Sequence, residues 1–93
     1  MRLDEQDREA ITSAIKKLDP HAKIYLFGSR TDPQKRGGDI DILILSSQIS
    51  KSDKPRILRY IFEKIEEQKI DLLIASDTMD PFVKLALKTG IEL

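Results

Sequence analysis

The sequence predicts a mixed α/β fold in which helices pack on a small mixed sheet, in the order helix, strand, strand, helix, strand, helix. Residues 4–18 repeat apolar side chains at helical spacing. Two short runs rich in strand-forming residues, Lys23–Phe27 and Asp39–Leu45, follow with a glycine-containing loop between them. A third such run, Ile70–Ile74, comes after a second helical stretch. Helices that alternate with short apolar runs are typical of this fold class.

The first helix is predicted to run from Asp4 to Leu18. Asp4 is a suitable N-cap, and the acidic residues just after it favour the positive end of the helix dipole. Asp19-Pro20 ends the helix, because the residue before a proline is disfavoured in helical geometry. The apolar stripe that we expect to face the core contains Ala10 or Ile11, Ala14, Ile15 and Leu18.

The second predicted strand begins with two carboxylates. Side chains alternate between the faces of a strand, so Asp39 and Asp41 are expected on one face with Cα atoms roughly 6.5 Å apart. The strand continues as the apolar run Ile42–Leu45, which indicates that both of its faces are covered further along. The two acids therefore belong to the open end of this strand.

The second helix connects this strand to the third one. Ser52 or Asp53 is expected to cap it, with Pro55 near its start. Its predicted buried face contains Ile57, Leu58, Ile61, Phe62 and Ile65. A helical crossover favours parallel pairing of the strands that it joins, and this pairing places Asp71 beside Asp39 and Asp41.

The third helix is predicted to start at Asp80-Pro81. Gly90 is expected to end it as a left-handed cap, and Ile91–Leu93 to add a short edge strand. The side chains expected to face inward are Phe82, Val83, Leu85 and Ala86.

The composition excludes several classes of function. The 93 residues fit a single domain, 1–93. The 16 basic residues equal the 16 acidic ones in number, so the protein has no net positive charge that would attract nucleic acid or an acidic membrane. Cysteine is absent, which rules out disulfides and thiolate metal ligands. The sequence shows no signal peptide and no apolar run long enough to span a bilayer. We therefore expect a soluble, cytoplasmic protein.

Asp39, Asp41 and Asp71 are candidate metal ligands. Three carboxylates within 4 to 6 Å would repel one another by up to about 3 kcal/mol per pair at an effective dielectric of 20. A divalent cation removes that repulsion. Oxygen ligands without cysteine or a well-placed histidine suit magnesium or manganese rather than zinc. Alone, an Asp-x-Asp pair is more often a solvated strand end, and it is the third acid that favours a metal site.

Gly28 and Ser29 are candidate phosphate ligands, because the loop that they start opens on the same rim as the three acids. Glycine lets the backbone approach a ligand closely, and the Ser29 hydroxyl can donate to phosphate oxygens. Arg30 could neutralise a polyphosphate, as could Lys35 and Arg36. The alternative interpretation is an ordinary strand-to-loop turn with solvated basic residues.

Taken together, these residues resemble the signature of the DNA polymerase beta-like nucleotidyltransferase superfamily, specifically its minimal nucleotidyltransferase (MNT) branch. The matching features are Gly28-Ser29, a basic loop, Asp39-Ile40-Asp41 and Asp71, followed by a final helix that leads into residues 88–93. The resemblance implies the nucleotidyltransferase fold. It also implies that Gly28 and Ser29 hold the terminal phosphates of a nucleotide, that Asp39 and Asp41 bind magnesium, and that Asp71 helps to activate an acceptor hydroxyl.

The resemblance further implies a magnesium-dependent transfer of a nucleoside monophosphate to a hydroxyl, either AMP from ATP or the monophosphate of another nucleoside triphosphate. Minimal nucleotidyltransferases often accompany a HEPN-domain protein in toxin–antitoxin pairs, where they modify or block the partner. Because the chain ends at Leu93, we expect a partner protein to supply the acceptor, and a homo-oligomer is a further possibility. The alternatives are a catalytically inactive antitoxin-like module that neutralises its partner by binding, and a plain structural domain.

Overall fold

The computed structural model of the chain describes residues 3–28 and 40–93. The predicted order of elements is confirmed, including the short strand at the end. The helices are α1 (Glu5–Leu18), α2 (Lys54–Phe62) and α3 (Pro81–Thr89), and the strands are β1 (Lys23–Phe27), β2 (Ile40–Leu45), β3 (Ile70–Ala75) and β4 (Ile91–Glu92).

The four strands form one mixed sheet in the order β3-β2-β1-β4. β1 runs antiparallel to both β2 and β4, whereas β2 and β3 are parallel. The parallel pair is the one that the α2 crossover predicts. The mixed sheet and the short final strand are therefore both confirmed.

One face of the sheet carries the main core under α1 and α2. The predicted stripe of α1 is buried at Ala10, Ile11, Ala14 and Ile15, and Leu18 is half-buried. Asp4 caps this helix by accepting a hydrogen bond of 2.8 Å from the Asp7 backbone N–H. The strand residues that point into this core are Ile24, Leu26, Ile40, Ile42, Ile44, Ile70, Leu72 and Ile74.

The start of α2 differs in detail from the prediction. Asp53 occupies the N-cap position, but its side chain makes no capping bond to α2. It accepts instead from the Ser50 backbone N–H at 2.9 Å and closes a capping box around the 3-10 turn Lys51–Asp53. Of the predicted buried face of α2, Ile57 and Ile61 are buried, and Leu58, Phe62 and Ile65 are half-buried.

The other face of the sheet is covered by α3. Leu43 of β2 packs there against Val83 and Ala86, both of which were predicted to face inward. Phe82 and Leu85 were predicted to face inward too, and this was wrong, because they are 54% and 56% exposed. Each precedes a buried residue by one position, and a step of one residue turns the side chain by about 100° around a helix.

The left-handed cap predicted at Gly90 was also wrong. Gly90 has φ −85° and ψ 170°, which is extended backbone. Its N–H donates to the Ala86 carbonyl at 2.8 Å, and the chain then enters β4 directly. A left-handed residue would turn the chain away, whereas an extended one delivers Ile91 to its position opposite Leu26.

The buried carboxylate of Asp19 lies at the end of the sheet opposite the predicted site. It links the end of α1 to the end of β2. Asp19 is 3% exposed and accepts a hydrogen bond of 2.6 Å from the Ser46 hydroxyl and one of 3.0 Å from the His21 backbone N–H. The Ser46 hydroxyl in turn accepts from the backbone N–H groups of Gln48 and Ile49, each at 3.0 Å. The bond from Ser46, and then that from His21, lowers the pKa of Asp19 below its ordinary value of 3.8.

Candidate functional site

Asp41 and Asp71 lie side by side at one end of the sheet. Each is the second residue of its strand, and the parallel register of β2 and β3 pairs the two directly. Their neighbours Ile42 and Leu72 point into the core under α1 and α2, so the two carboxylates share the opposite face. Asp41 is half-buried and Asp71 is exposed. Adjacent strands are about 4.8 Å apart, which brings the two acids within reach of one ion.

Gly28 lies against the same carboxylate. Phe27 is the register partner of Asp41 across the antiparallel pair, and Gly28 follows it with φ 78°, in the left-handed region that favours glycine. A Cβ added to Gly28 would collide with the carboxylate of Asp41, whose Cγ lies 3.1 Å from that position. Because Gly28 has no side chain, the Asp41 carboxylate can occupy this space.

The structure thus brings three of the predicted site residues to one rim of the sheet, namely Gly28, Asp41 and Asp71. The other three, Ser29, Arg30 and Asp39, lie outside the described residues, as does the remainder of the basic loop. Their roles remain predictions from the sequence.

The residues at this rim fit a hard divalent cation. Their donors are carboxylate oxygens, which magnesium and manganese prefer, and the two acids in register repel each other unless a cation lies near them. Within residues 3–28 and 40–93, no group of three acidic, histidine or cysteine side chains could hold a metal ion. That range contains only two of the three predicted acidic ligands.

An apolar cleft of about 250 Å³ adjoins Gly28 between the end of β1 and α3. The Phe27 and Phe82 rings meet in it edge to face, with centroids 6.0 Å apart, and Leu85 lines its side. Met79 adds another exposed apolar side chain just before α3. The sequence of α3 contains a sign of this cleft. A helix that is covered on one side needs a single apolar stripe, whereas the apolar residues of α3 extend further around the helix.

The family model described as "Polymerase beta, Nucleotidyltransferase" matches residues 9–93 of this chain. The search of curated proteins found no match to this chain. In the part of the chain that the structure describes, no helix is long and apolar enough to cross a membrane. The matched range includes every residue predicted for the site.

Proposed function

Because this chain belongs to the polymerase beta nucleotidyltransferase family, we propose that it is a minimal nucleotidyltransferase that transfers AMP from ATP to a hydroxyl group of a partner protein. One observation carries the proposal. Asp41 and Asp71 pair in register on parallel strands, and Gly28 lies against the first of them. A reaction between a polyphosphate and a hydroxyl needs this combination of acids and closely approaching backbone on one rim.

The proposed roles of Gly28, Asp41 and Asp71 follow from their positions, and those of Asp39 and Ser29 follow from the sequence alone. Asp41 and Asp71, together with Asp39, would hold Mg²⁺ or Mn²⁺, which when bound polarises phosphate oxygens and neutralises their charge. The Gly28 backbone and the Ser29 hydroxyl are proposed to bind the terminal phosphates. The close approach of Gly28 to Asp41 supports this division, since phosphates and metal ligands must be neighbours.

Asp71 is proposed to accept the proton of the acceptor hydroxyl, because it is the more exposed of the two described acids. The hydroxyl oxygen then forms a bond to the α-phosphorus of ATP. The bond from that phosphorus to the oxygen that bridges to the β-phosphate breaks, and pyrophosphate leaves in line with the attacking oxygen. The products are pyrophosphate and a nucleotidylated acceptor.

The exposed apolar side chains near the site support a protein as the acceptor. Met79, Phe82 and Leu85 are all more than half exposed and lie on or just before α3, the helix that covers the carboxylate face. Large apolar side chains grouped on a surface are typical of protein contacts. The proposed partner is a HEPN-domain toxin in the cytoplasm, with this chain as its antitoxin.

The same surface favours a second candidate, a module that neutralises its partner by binding without transfer. An experiment with ATP labelled at the α-phosphate separates the two. The protein, Mg²⁺ and a candidate HEPN partner are incubated, and label on the partner is measured for the wild type, Asp41→Asn and Asp71→Asn. Lys16→Gln is a matched control, since Lys16 is an exposed charged residue of α1, on the face of the sheet opposite the carboxylates.

Transfer predicts a labelled partner with the wild type and the control, and loss of label with either aspartate variant. Removal of one metal ligand or of the proton acceptor typically costs at least about a hundredfold in rate. Stable co-elution of the two proteins with no label under any condition would support the binding module instead. Label that persists in both aspartate variants would refute the site.

A further inference from the structure

The two edges of the sheet differ. On one side β4 contains only two residues, a length that offers little template for another strand. On the other side β3 contains six residues, and no strand of residues 3–28 or 40–93 pairs with its outer edge. Long open edges are the places where sheets accept a further strand.

The hydrogen bonds to β2 show which groups of β3 point outward. Lys69 and Ala75 accept bonds from the backbone N–H groups of Ile40 and Ser46, at 3.1 and 3.0 Å. Backbone groups alternate direction along a strand, so the odd-numbered residues of β3 bond to β2. The even-numbered residues Ile70, Leu72 and Ile74 therefore direct their N–H and C=O groups away from the sheet.

The sequence of β3 carries little of the usual protection of an edge strand. Ile70–Ala75 contains no proline, glycine or lysine, and Asp71 is its single charged residue. Natural proteins blunt an exposed edge with such residues or with a bulge. An open apolar edge of this length is typical of a strand that pairs with another chain.

A helix flank on the same side supports this interpretation. α1 packs on one flank of α2, where Lys17 lies 4.4 Å from the Tyr60 ring centroid and the Lys64 ammonium donates to Ser13 at 3.0 Å. On the opposite flank of α2, away from α1, Leu58 and Phe62 line a groove together with Ile65, and all three are half-buried. The rim of this groove carries one basic residue, Arg59, and the three acidic residues Glu63, Glu66 and Glu67.

We propose that β3 pairs antiparallel with β3 of a second copy of the chain, around a two-fold axis perpendicular to the sheet. In the register centred on Leu72, Leu72 lies opposite its own copy and Ile70 lies opposite Ile74. All three outward-facing residues then pair with one of the same set. Asp71 lies opposite Leu73, whereas a register shifted by one step would set Asp71 against Asp71, which like-charge repulsion disfavours.

This axis also keeps the α2 helices of both copies on one side of the joined sheet. The two grooves lined by Leu58 and Phe62 then face each other, and the mixed rim lets Arg59 of one copy approach Glu63 of the other. One symmetric contact thus covers both the open strand edge and the half-buried helix flank. Asp71 lies in the joined strand, so the interface borders the carboxylate pair, but formation of the dimer does not require the transfer activity.

The dimer is tested by sedimentation equilibrium from low to high micromolar concentration, combined with amide hydrogen exchange of the wild type followed residue by residue. The proposal expects twice the monomer mass at high concentration. It expects the amides of Leu72 and Ile74 to be protected there and to lose protection on dilution. The amide of Leu73 is the internal control, because it faces β2 and stays protected in the monomer too.

Two substitutions locate the interface. Phe62→Lys places a charge in the helix groove and is expected to weaken dimerisation by at least about tenfold. Phe82→Asp on the exposed face of α3 is the matched control and should leave the dimer unchanged. A monomer at every concentration overturns the proposal, and so does a dimer that only Phe82→Asp disrupts. If Phe62→Lys fails to fold, the hydrogen exchange of the wild type decides. Amides of Leu72 and Ile74 that exchange equally fast at all protein concentrations overturn the proposed dimer.

Discussion

Substitution of Gly28 by alanine tests whether this glycine makes room for the Asp41 carboxylate. Where alanine can adopt the backbone conformation of a glycine, the replacement stabilises a protein by about 0.4–1 kcal/mol, because the unfolded chain loses conformational freedom. Gly28 differs in two ways. Its φ of 78° is unfavourable for alanine, and the new Cβ would collide with a carboxylate oxygen of Asp41.

The expected magnitude follows from these two costs. The left-handed backbone costs an alanine roughly 1–2 kcal/mol. Relief of the collision requires the Asp41 side chain to leave its rotamer, which costs of order 0.5–1.5 kcal/mol. We therefore expect Gly28→Ala to lower the free energy of unfolding by about 1.5–3.5 kcal/mol.

Urea denaturation of four proteins measures the two costs separately: the wild type, Gly28→Ala, Asp41→Ala and the double variant. In the Asp41→Ala background the carboxylate is gone, so Gly28→Ala should cost only the backbone part, about 1–2 kcal/mol. The coupling energy between the two sites should then be about 1 kcal/mol. The m-value should stay constant across the four proteins.

A neutral or stabilising Gly28→Ala would refute this reasoning, because it would show that the left-handed backbone and the close approach do not exist in solution. A cost of the expected size that is identical in both backgrounds would refute the collision with Asp41 and leave only the backbone term.

Three further predictions concern metal, acid and nucleotide. Asp41→Asn removes one carboxylate of the register pair, so thermal melts should show a smaller rise in Tm with millimolar Mn²⁺ than the wild type shows. Ser46→Ala removes the main cause of the lowered pKa of Asp19. A lowered pKa contributes stability that is present above pH 3.8 and is lost as the pH falls through the folded-state pKa. The pH midpoint of acid unfolding, measured by circular dichroism, should therefore be higher for Ser46→Ala than for the wild type. ATP binding measured by calorimetry should depend on Mg²⁺, and Ser29→Ala should lose about 1–2 kcal/mol of affinity; equal affinity with and without the ion would contradict the proposed site.

The sequence predicted the central pair of acids for a reason that needs no coordinates. A helical crossover between two strands favours parallel pairing, and parallel strands whose acids occupy equivalent positions bring those acids together. Parallel pairing predicted that Asp71 lies beside Asp39 and Asp41, whereas the offset that sets Asp41 directly opposite Asp71 is seen only in the structure. The placement of Gly28 follows from its position at the end of the neighbouring strand, beside the start of β2.

Other features depend on contacts that no local pattern encodes. The exposure of Phe82 and Leu85 reflects how much of the sheet a short helix can cover, which depends on the tertiary arrangement. The extended backbone of Gly90 is dictated by the pairing of β4 with β1. The bond from Ser46 to Asp19 joins residues 27 positions apart, and the Asp19-Pro20 pair shows only that a helix ends.

The most direct test of the site as a metal centre is paramagnetic broadening of the amide NMR signals by Mn²⁺, which falls off steeply with distance from the ion. Substoichiometric Mn²⁺ should broaden the signals of Gly28, Asp41 and Asp71 first and spare Ser46 at the opposite end of the sheet, and Asp41→Asn should abolish the selective effect. Broadening centred on another acidic surface, such as the region of Glu63 and Glu66, or no selective broadening at all, would contradict the account.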